Sequence, residues 1–512
     1  MNAVEYCLLH GLKVAGPEHP ALVSAEESLS YGALAALVAK YAAALRENGV
    51  KPGDRVAMVM FDTPDIVALH HAAIATGAIA AALSNRASVE ELTQILLIVR
   101  PHTLVADDEF SETVKKAAAA AAPNAKILSC QRELRVWKSR PETEPVIAAR
   151  KPSDPAFWVM TSGTTGTPKA VEHRHENVSI SAEYYEQVLG ATSADRLFAT
   201  SRFHFAYAIG NMFAALRMGA TNILLEHWAT VGGVDETVRH LKPTIFLSVP
   251  ALYHKLLDAQ LPQTPHFRAV RHYVSAGERL PPKIWTDWEA ASGLPILDGL
   301  GCSECVYMII GNTLEKQRPG SSGIASPSVE LRIMDEHGVE VTSPGTTGRL
   351  EVRMPSVCSG YRTTGTSLGE PPDRPVERFT ADGWFATGDE YVRDADGFFH
   401  HRGRSGDMLR VSGIWVSPSE IEDPLAGTAG VTETAAVLGE NAIGLAEIAL
   451  FIVLAPGGDG KTAVAAARER LSQALPHYKL PRRFEIVTDL PRTATGKVQR
   501  HKLRERLRSD RG

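Results

Sequence analysis

The chain contains, at residues 157–169, the stretch Phe157-Trp158-Val159-Met160-Thr161-Ser162-Gly163-Thr164-Thr165-Gly166-Thr167-Pro168-Lys169. Its apolar first part has the length and composition of a buried strand. In the second part, two glycines allow the backbone close to a ligand, and hydroxyls and loop amides can surround phosphate oxygens. Lys169 adds a mobile cation for the charge that shifts when a phosphate bond breaks. The stretch therefore predicts a phosphate loop after a strand, distinct from the Walker pattern GxxxxGK[ST]; an ordinary Gly/Ser/Thr-rich surface loop is the alternative.

Strand-like runs alternate with helix-like stretches through the first four hundred residues, for example at 55–60, 221–225, 244–249 and 271–275. This rhythm predicts an α/β fold with largely parallel sheets. Beyond about residue 330 the pattern becomes β-rich, and the last hundred residues carry strand and helix signals of their own. We expect an N-terminal domain of α/β subdomains plus a β-rich subdomain over residues 1–403, a hinge at 404–407, and a small mobile α+β domain over 408–512.

Composition excludes several classes of protein. The chain has 512 residues, 44% hydrophobic and 22% charged, which is typical of globular domains. A net charge of −5 provides no basic footprint for nucleic acid or a membrane surface. Five scattered cysteines argue against a disulfide framework, and the CxxC of Cys302 and Cys305 has no second pair at zinc spacing. The apolar window 66–83 contains His70 and His71 and predicts a buried helix leading into a strand; we expect a cytoplasmic protein without a secretory signal.

Further motifs follow the phosphate loop in order: Ser275-Ala276-Gly277-Glu278, Asp298-Gly299-Leu300-Gly301-Cys302-Ser303-Glu304, Gly383-Trp384-Phe385-Ala386-Thr387-Gly388-Asp389, Gly403-Arg404 and Pro491-Arg492-Thr493-Ala494-Thr495-Gly496-Lys497. With them, nearly the whole chain resembles the adenylate-forming superfamily of acyl- and aryl-CoA synthetases, carrier-protein adenylation domains and beetle-type luciferases. The resemblance implies an enzyme that activates a carboxylic acid with ATP and Mg²⁺ as an acyl adenylate, and then transfers the acyl group to coenzyme A.

The resemblance also implies the roles of particular residues. Glu304 is expected to help hold Mg²⁺, a hard ion suited to carboxylate oxygens, and Ser303 to contact the α-phosphate. Asp389 is expected to accept hydrogen bonds from the ribose hydroxyls, with Arg404 near the ribose and phosphates. The other nucleotide-binding positions are those of the loop and of the adenine border: Thr161, Ser162, Gly163, Thr164, Thr165, Gly166, Lys169, Ala276, Gly277, Glu278, Asp298 and Gly299.

Lys497 is expected to bridge the carboxylate of the acid and the α-phosphate, from a C-terminal domain that rotates between the half-reactions. In the second state, residues 411–416 are expected to line the pantetheine tunnel, which Gly413 would keep open. The pivot departs from the family, since Gly406 stands where relatives commonly carry Asp or Lys. Glycine permits the rotation, but whether a side chain at the pivot sets the balance of the two states is then open.

The stretch 203–211 is similar to benzoate-type CoA ligases and implies an acyl pocket of Phe205, Ala206, Tyr207, Ala276, Gly301, Tyr307 and Met308. Aromatic walls with small residues between them favour a flat ring over a flexible chain. Tyr307 stands where several relatives carry His, and its phenol offers a hydrogen bond to a ring substituent, so an amino- or hydroxybenzoate is one hypothesis. The alternative for this stretch is an aromatic-rich helix start packed in the core.

Two rival functions stay open at this point. A stand-alone adenylation enzyme would load a carrier protein instead of CoA; Lys479, Arg482 and Arg483 could serve CoA phosphates, dock an acidic carrier, or be solvated. A nucleotide-binding scaffold without catalysis is the second rival, although all five key residues, Lys169, Glu304, Asp389, Arg404 and Lys497, are present. The expected partners are small molecules, neither nucleic acid nor membrane, and a homodimer is left open.

Overall fold

The structure, a computed structural model, describes residues 1–141, 145–162, 168–411, 414–440, 446–492 and 498–509. Packing divides the chain into two compact units, Met1–Leu331 with Val352–Phe385, and Arg332–Glu351 with Ala386–Gly512. The predicted domains 1–403 and 408–512, and the hinge at 404–407 between them, stay a prediction.

The helices and strands alternate as the sequence predicted. The described strands are, in chain order, β1 (Pro20–Val23), β2 (Ser28–Ser30), β3 (Arg55–Val59), β4 (Ile79–Ala82), β5 (Thr103–Ala106), β6 (Lys126–Ser129), β7 (Pro155–Ser162), β8 (Pro168–Arg174), β9 (Arg196–Ala199), β10 (Thr221–Ile223), β11 (Ile245–Ser248), β12 (His272–Ser275), β13 (Ile296–Gly301), β14 (Met308–Gly311), β15 (Ile324–Ala325), β16 (Glu330–Met334), β17 (Thr347–Arg353), β18 (Gly360–Arg362), β19 (Phe385–Arg393), β20 (Phe399–Arg404), β21 (Leu409–Val411), β22 (Ile414–Val416), β23 (Val431–Glu440), β24 (Ala446–Leu454) and β25 (Arg483–Val487). The α-helices are α1 (His10–Ala15), α2 (Tyr31–Glu47), α3 (Pro64–Ala75), α4 (Val89–Val99), α5 (Ser111–Ala121), α6 (Arg135–Lys138), α7 (Ala206–Met218), α8 (Val231–Leu241), α9 (Pro250–Asp258), α10 (Pro265–Arg268), α11 (Pro282–Ser292), α12 (Pro418–Glu422), α13 (Gly460–Ala474) and α14 (Arg500–Ser509).

A nine-stranded sheet with the order β15-β14-β13-β12-β11-β9-β10-β1-β2 forms one half of the first unit. Its six central strands, β13 to β1, are parallel, and the edge strands are antiparallel. Successive residues point to opposite faces: Phe246 packs with α8, α9 and α11, whereas Ile245 and Leu247 pack with α7 and the π-helical turn Tyr184–Val188. Both faces are therefore covered, as parallel sheets require.

A seven-stranded sheet, β18-β8-β7-β4-β3-β5-β6, forms the other half of the first unit. The run from β7 to β6 is parallel, while β8 and β18 are antiparallel additions. The apolar window 66–83 forms α3 followed by β4, as predicted, and α4 and α5 pack on this sheet. None of the described helices is long and apolar enough to cross a membrane.

The second unit contains a four-stranded sheet, β16-β17-β19-β20, a β21–β22 pair, and a three-stranded sheet, β23-β24-β25. In the last of these, alternate residues of β23 and β24 again face opposite sides. Leu450 and Ile452 pack with α12 and α13, and Ala449 and Phe451 pack with Leu503 of α14. The predicted α/β class, with a small α+β part at the C-terminal end, is confirmed.

Candidate active site

Two paired strands flank the predicted phosphate loop. Strands β7 and β8 pair antiparallel, with Thr161 opposite Lys169 and Ser162 opposite Pro168. The predicted ligands Gly163, Thr164, Thr165 and Gly166 lie outside the described residues, and their contacts with phosphate stay a prediction. Thr161 and Lys169 are register partners one residue inside the described ends of the two strands, so the hairpin brings a hydroxyl and a cation to one place.

Lys169 and Glu304 are joined through a tyrosine. The ammonium of Lys169 lies 5.4 Å from the centre of the Tyr361 ring, a cation–π arrangement. The Tyr361 hydroxyl donates to Glu304 Oε1 at 2.7 Å, and Arg378 Nη2 lies 3.3 Å from the same oxygen. The structure therefore unites two predicted residues that are far apart in sequence. Tyr361 and Arg378 were missed, because neither stands in a motif and no local pattern marks them.

Ser303 and Glu304 stand in a tight turn between β13 and β14. The Ser303 carbonyl lies 2.9 Å from Nε2 of His173 on β8, whose ring stacks on Phe157 at 4.9 Å. In the same turn Val306 has φ +65°, a left-handed conformation that is an outlier for a β-branched residue. Backbone strain of this kind costs on the order of 1–3 kcal/mol and clusters at functional sites.

The predicted adenine border lies at the carboxyl ends of parallel strands. Ser248, Ser275 and Asp298 are in register on β11, β12 and β13. Ligands of open α/β sheets bind at such an edge. Ala276–Glu278 follow β12 directly, and Gly277 has φ +97°, which favours glycine. A Cβ on Gly299 would lie 2.4 Å from the Met308 sulfur and 2.6 Å from the Ile310 oxygen, so the strand accepts no larger residue there.

Asp298 has an unusual environment for a carboxyl group. Burial raises its pKa to about 7, although the Ser275 hydroxyl, backbone amides and Arg279 oppose the rise. A carboxyl buried in this way titrates near neutral pH. Such a group in a predicted site is typical of functional positions.

Asp389 and Arg404 meet in the second unit. They are register partners on β19 and β20, and Arg404 Nε lies 3.0 Å from Asp389 Oδ1. His401, a neighbour that the sequence did not predict, places Nε2 3.2 Å from the same oxygen. The Asp389 amide donates to the Thr387 hydroxyl at 3.2 Å. The carboxylate is held in one orientation by strand pairing and two basic side chains.

The predicted acyl-pocket residues pack around α7 and the β13–β14 turn. Tyr207 and Met308 belong to one apolar cluster with Tyr184 and Tyr185 of the π-helical turn. The Tyr307 ring lies 3.4 Å from where a Cβ on Gly210 would stand, and its carbonyl lies 3.3 Å from the corresponding position at Gly301. Ala206 is buried and Phe205 half-buried at the start of α7. Sequence reasoning missed Tyr184 and Tyr185, which carry no motif.

Two predictions fall on residues outside the described ranges. Lys497 and Gly413 are among the residues that are not described, so their roles stay predictions. Gly406 is exposed, and a Cβ there would meet nothing within 4 Å. Its conformation in this state therefore does not require glycine. Of the basic residues proposed for CoA phosphates, Lys479 pairs with Glu420, and Arg483 pairs with Glu485 at 2.5 Å.

The described residues fit Mg²⁺ bound mainly through a nucleotide. No group of three or more His, Cys, Asp or Glu side chains that could hold a metal occurs in the described part of the chain. Mg²⁺ is usually held by one or two carboxylates together with substrate phosphates and water. Glu304 suits that role, because its carboxylate is a hard oxygen ligand; Tyr361 and Arg378 contact it.

Comparisons with known proteins show the family of the chain. Residues 13–362 match the model of the AMP-binding enzyme family, and residues 420–497 match the AMP-binding enzyme C-terminal domain. The 3-hydroxybenzoate–CoA ligase of Aromatoleum sp. (strain CIB) is 35% identical over 519 residues, covering 100% of this chain and 98% of the relative. The 3-hydroxybenzoate–CoA/4-hydroxybenzoate–CoA ligase of Thauera aromatica is 35% identical, covering 99% of this chain and 98% of the relative.

A solved structure shows the same architecture. The anthranilate CoA ligase AuaEII in complex with anthranoyl-AMP superposes with a TM-score of 0.90 at 30% identity, covering 99% of this chain and 97% of that one. The chain therefore belongs to the AMP-binding enzyme family. It is an AMP-forming acid–thiol ligase, and the predictions of family and enzyme class are confirmed.

Proposed function

We propose that the chain converts a benzoate-type aryl acid into its CoA thioester by way of an aryl adenylate. One observation carries the proposal: the segment 301–308 holds Ser303 and Glu304 beside Tyr307 and Met308. Groups suited to ATP and groups suited to a flat ring therefore share one short turn. The full-length similarity to aryl-CoA ligases supports the same class of acid.

In the first half-reaction, a carboxylate oxygen bonds to the α-phosphorus of ATP, the bond to the oxygen bridging to the β-phosphate breaks, and pyrophosphate leaves. Two anions must meet, so cations and fixed dipoles are needed around the phosphorus beforehand. We assign Lys169, Ser303 and the loop from Thr161 to the phosphates, and Lys497 to the attacking carboxylate and α-phosphate. Glu304 would hold Mg²⁺, which supplies a hard cation to the phosphate oxygens.

In the second half-reaction, the sulfur of CoA bonds to the acyl carbon, the bond from that carbon to the phosphate oxygen breaks, and AMP leaves with loss of the thiol proton. One set of groups cannot serve both steps, so we propose a rotation about residues 404–407 between them. Asp389 and Arg404 are assigned to the ribose and phosphates, and Gly413 to the pantetheine tunnel. ATP, Mg²⁺ and CoA are thus the cofactors and co-substrates.

Acid-dependent pyrophosphate release tests the proposal, with benzoate, the three monohydroxybenzoates, 2-aminobenzoate and a medium-chain fatty acid as substrates. Thioester formation is then followed with micromolar free CoA. We expect aromatic acids to be preferred and the thioester to form with free CoA. A clear preference for the fatty acid would refute the aryl assignment. Pyrophosphate release without transfer of the acyl group to CoA would favour a carrier protein as the acceptor. The absence of pyrophosphate release with every acid would favour a nucleotide-binding scaffold.

Two further properties are proposed with this function. A reaction that consumes ATP and CoA is expected in the cytoplasm, which fractionation of cells would test. A homodimer is also proposed, and light scattering of the purified chain at several concentrations would show it or a monomer.

A further inference from the structure

Helix α7 presents a polar residue to the interior beside the predicted ring pocket. Tyr207 and Asn211 stand one turn apart and therefore share a face of the helix. Ala214 and Met218 continue that face, and they pack in the same cluster as Tyr184, Tyr185 and Met308. The Asn211 side chain is 2% exposed. An amide is thus buried where the pocket prediction places a ring.

Only one end of that amide is used by the protein. The Tyr185 hydroxyl donates to Asn211 Oδ1. Asn211 Nδ2 is buried and has no hydrogen-bond partner among the described residues. Leaving a buried donor unpaired costs about 1–3 kcal/mol, and such exceptions are few in native proteins. The amide is held by Tyr185 so that its N–H groups are available to another molecule.

Two phenol oxygens on neighbouring residues, Tyr184 beside Tyr185 and Tyr207 one helical turn before Asn211, are also unused. The hydroxyls of Tyr184 and Tyr207 are buried and have no partner within the described ranges. Burial raises the pKa of both phenols, and of Tyr185, so all three stay protonated at neutral pH. The Tyr184 ring borders the predicted pocket, because it and the pocket residue Met308 both pack against Gly311. A Cβ placed on Gly311 would lie 2.8 Å from the Tyr184 ring and 3.5 Å from the Met308 side chain. The pocket wall therefore offers an amide donor and phenol acceptors together.

A ring hydroxyl matches this set of groups. It can accept from Asn211 Nδ2 and donate to a phenol oxygen at the same time. A ring amino group donates well, but its lone pair is delocalised into the ring, so it leaves Asn211 Nδ2 unpaired. Unsubstituted benzoate leaves every one of these groups unpaired. We infer that the substrate is a hydroxybenzoate, and that Asn211, oriented by Tyr185, selects its hydroxyl together with Tyr184 and Tyr207. This inference rests on the proposed function.

The ratio of kcat/KM for hydroxybenzoates to that for benzoate tests the inference in the unaltered protein. We expect one monohydroxybenzoate isomer to exceed both benzoate and 2-aminobenzoate by about 10-fold or more, because each analogue leaves a buried group unpaired. Asn211→Leu, of similar size, should lower that ratio by about 10-fold, mainly through the hydroxybenzoate value. Tyr185→Phe should lower it less, because only the orientation of the amide is lost.

Matched tyrosine variants separate the pocket from general loss of stability. Tyr184→Phe and Tyr207→Phe should each lower the hydroxybenzoate-to-benzoate ratio. Tyr273→Phe is the control, since Tyr273 is also buried, its hydroxyl donates to the Phe267 carbonyl, and both residues belong to the cluster on the opposite face of the sheet. It should leave the ratio unchanged.

The outcomes distinguish this inference from the proposed function. Equal turnover of benzoate and every hydroxybenzoate would overturn the role of Asn211 while leaving an aryl-CoA ligase intact. Equal losses on both substrates in Asn211→Leu and the two tyrosine variants would also overturn it. Failure of all aromatic acids in the unaltered protein would instead refute the proposed function.

Discussion

Glu304, the proposed Mg²⁺ ligand, is surrounded by residues from distant parts of the chain. Its oxygen receives a hydrogen bond from Tyr361 and an ion pair from Arg378, and Lys169 lies over the same tyrosine ring. Hydrogen bonds to an ionised group are about twice as strong as neutral ones. Tyr361 therefore links the orientation of the proposed Mg²⁺ ligand to the position of the phosphate-loop lysine.

We predict that Tyr361→Phe lowers the adenylation rate about 10-fold, because a hydrogen bond to a charged group contributes about 1.5–3 kcal/mol. The Mg²⁺ concentration for half-maximal rate should rise as well. Pyrophosphate release over a Mg²⁺ titration measures both. Tyr41→Phe is a matched control. The Tyr41 hydroxyl also donates to a carboxylate, Asp65 Oδ1, at 2.5 Å, and neither residue belongs to the candidate site. Unchanged Mg²⁺ dependence in Tyr361→Phe would argue against a link between Tyr361 and the metal.

Lys497 provides the second prediction at the scale of a residue. Lys497→Ala should lose most of the adenylation rate, because the charge of two meeting anions is no longer neutralised. Thioester formation from a supplied acyl adenylate should persist, since that step has no such meeting of anions. Single-turnover assays of each half-reaction measure the two rates separately. Equal loss of both would show that the assigned role is wrong.

At the scale of elements, the fold places short connections where chemistry is expected. The β7–β8 hairpin carries Thr161 and Lys169, and the β13–β14 turn carries Ser303, Glu304 and the strained Val306. Of these strands, sequence patterns predicted β7, because its apolar run has the length and composition of a buried strand. They did not predict that β18 would pair with β8 and bring Tyr361 to Glu304, because strand pairing depends on distant partners.

The β20–β21 connection provides a prediction about the hinge. A Cβ at Gly406 meets open space, so Gly406→Ala should leave both half-reactions unchanged. Gly406→Pro should slow thioester formation more than adenylation, because proline restricts φ at the proposed pivot. The two rates are compared in single-turnover experiments with and without CoA. A normal overall rate in the proline variant would count against a pivot at this position.

At the scale of the whole molecule, buried histidines link stability to pH. Burial lowers the pKa of His71, His173 and His175 to about 4 and of His204 to about 3, and it lowers that of His70 as well. In the unfolded chain these imidazoles have the ordinary histidine pKa of 6.5 and bind protons below that pH. In the folded chain they stay neutral until the pH approaches 4. Stability is therefore fully present above about pH 6.5 and declines as pH falls towards 4.

Two buried carboxyl groups act in the opposite sense. Burial raises the pKa of Asp62 and Asp298 to about 7, so the folded chain holds protons there that the unfolded chain releases. Their contribution declines as pH rises from about 4 to 7. The five histidines outnumber them, so we predict a net loss of a few kcal/mol between pH 7 and 5. Urea unfolding at pH 7 and pH 5 measures this loss of unfolding free energy. His70→Leu should reduce the difference between the two pH values. Equal urea midpoints at both pH values would contradict the prediction.

The sequence by itself determined the α/β class, the strand before the phosphate loop, and the family, because these follow from local periodicity and from motifs of fixed spacing. Only the tertiary structure decided that Tyr361 and Arg378 surround Glu304, that His401 contacts Asp389, and that Tyr185 holds Asn211. Each of these contacts joins side chains from different elements. Their meeting depends on strand register and helix packing, which no stretch of sequence encodes alone.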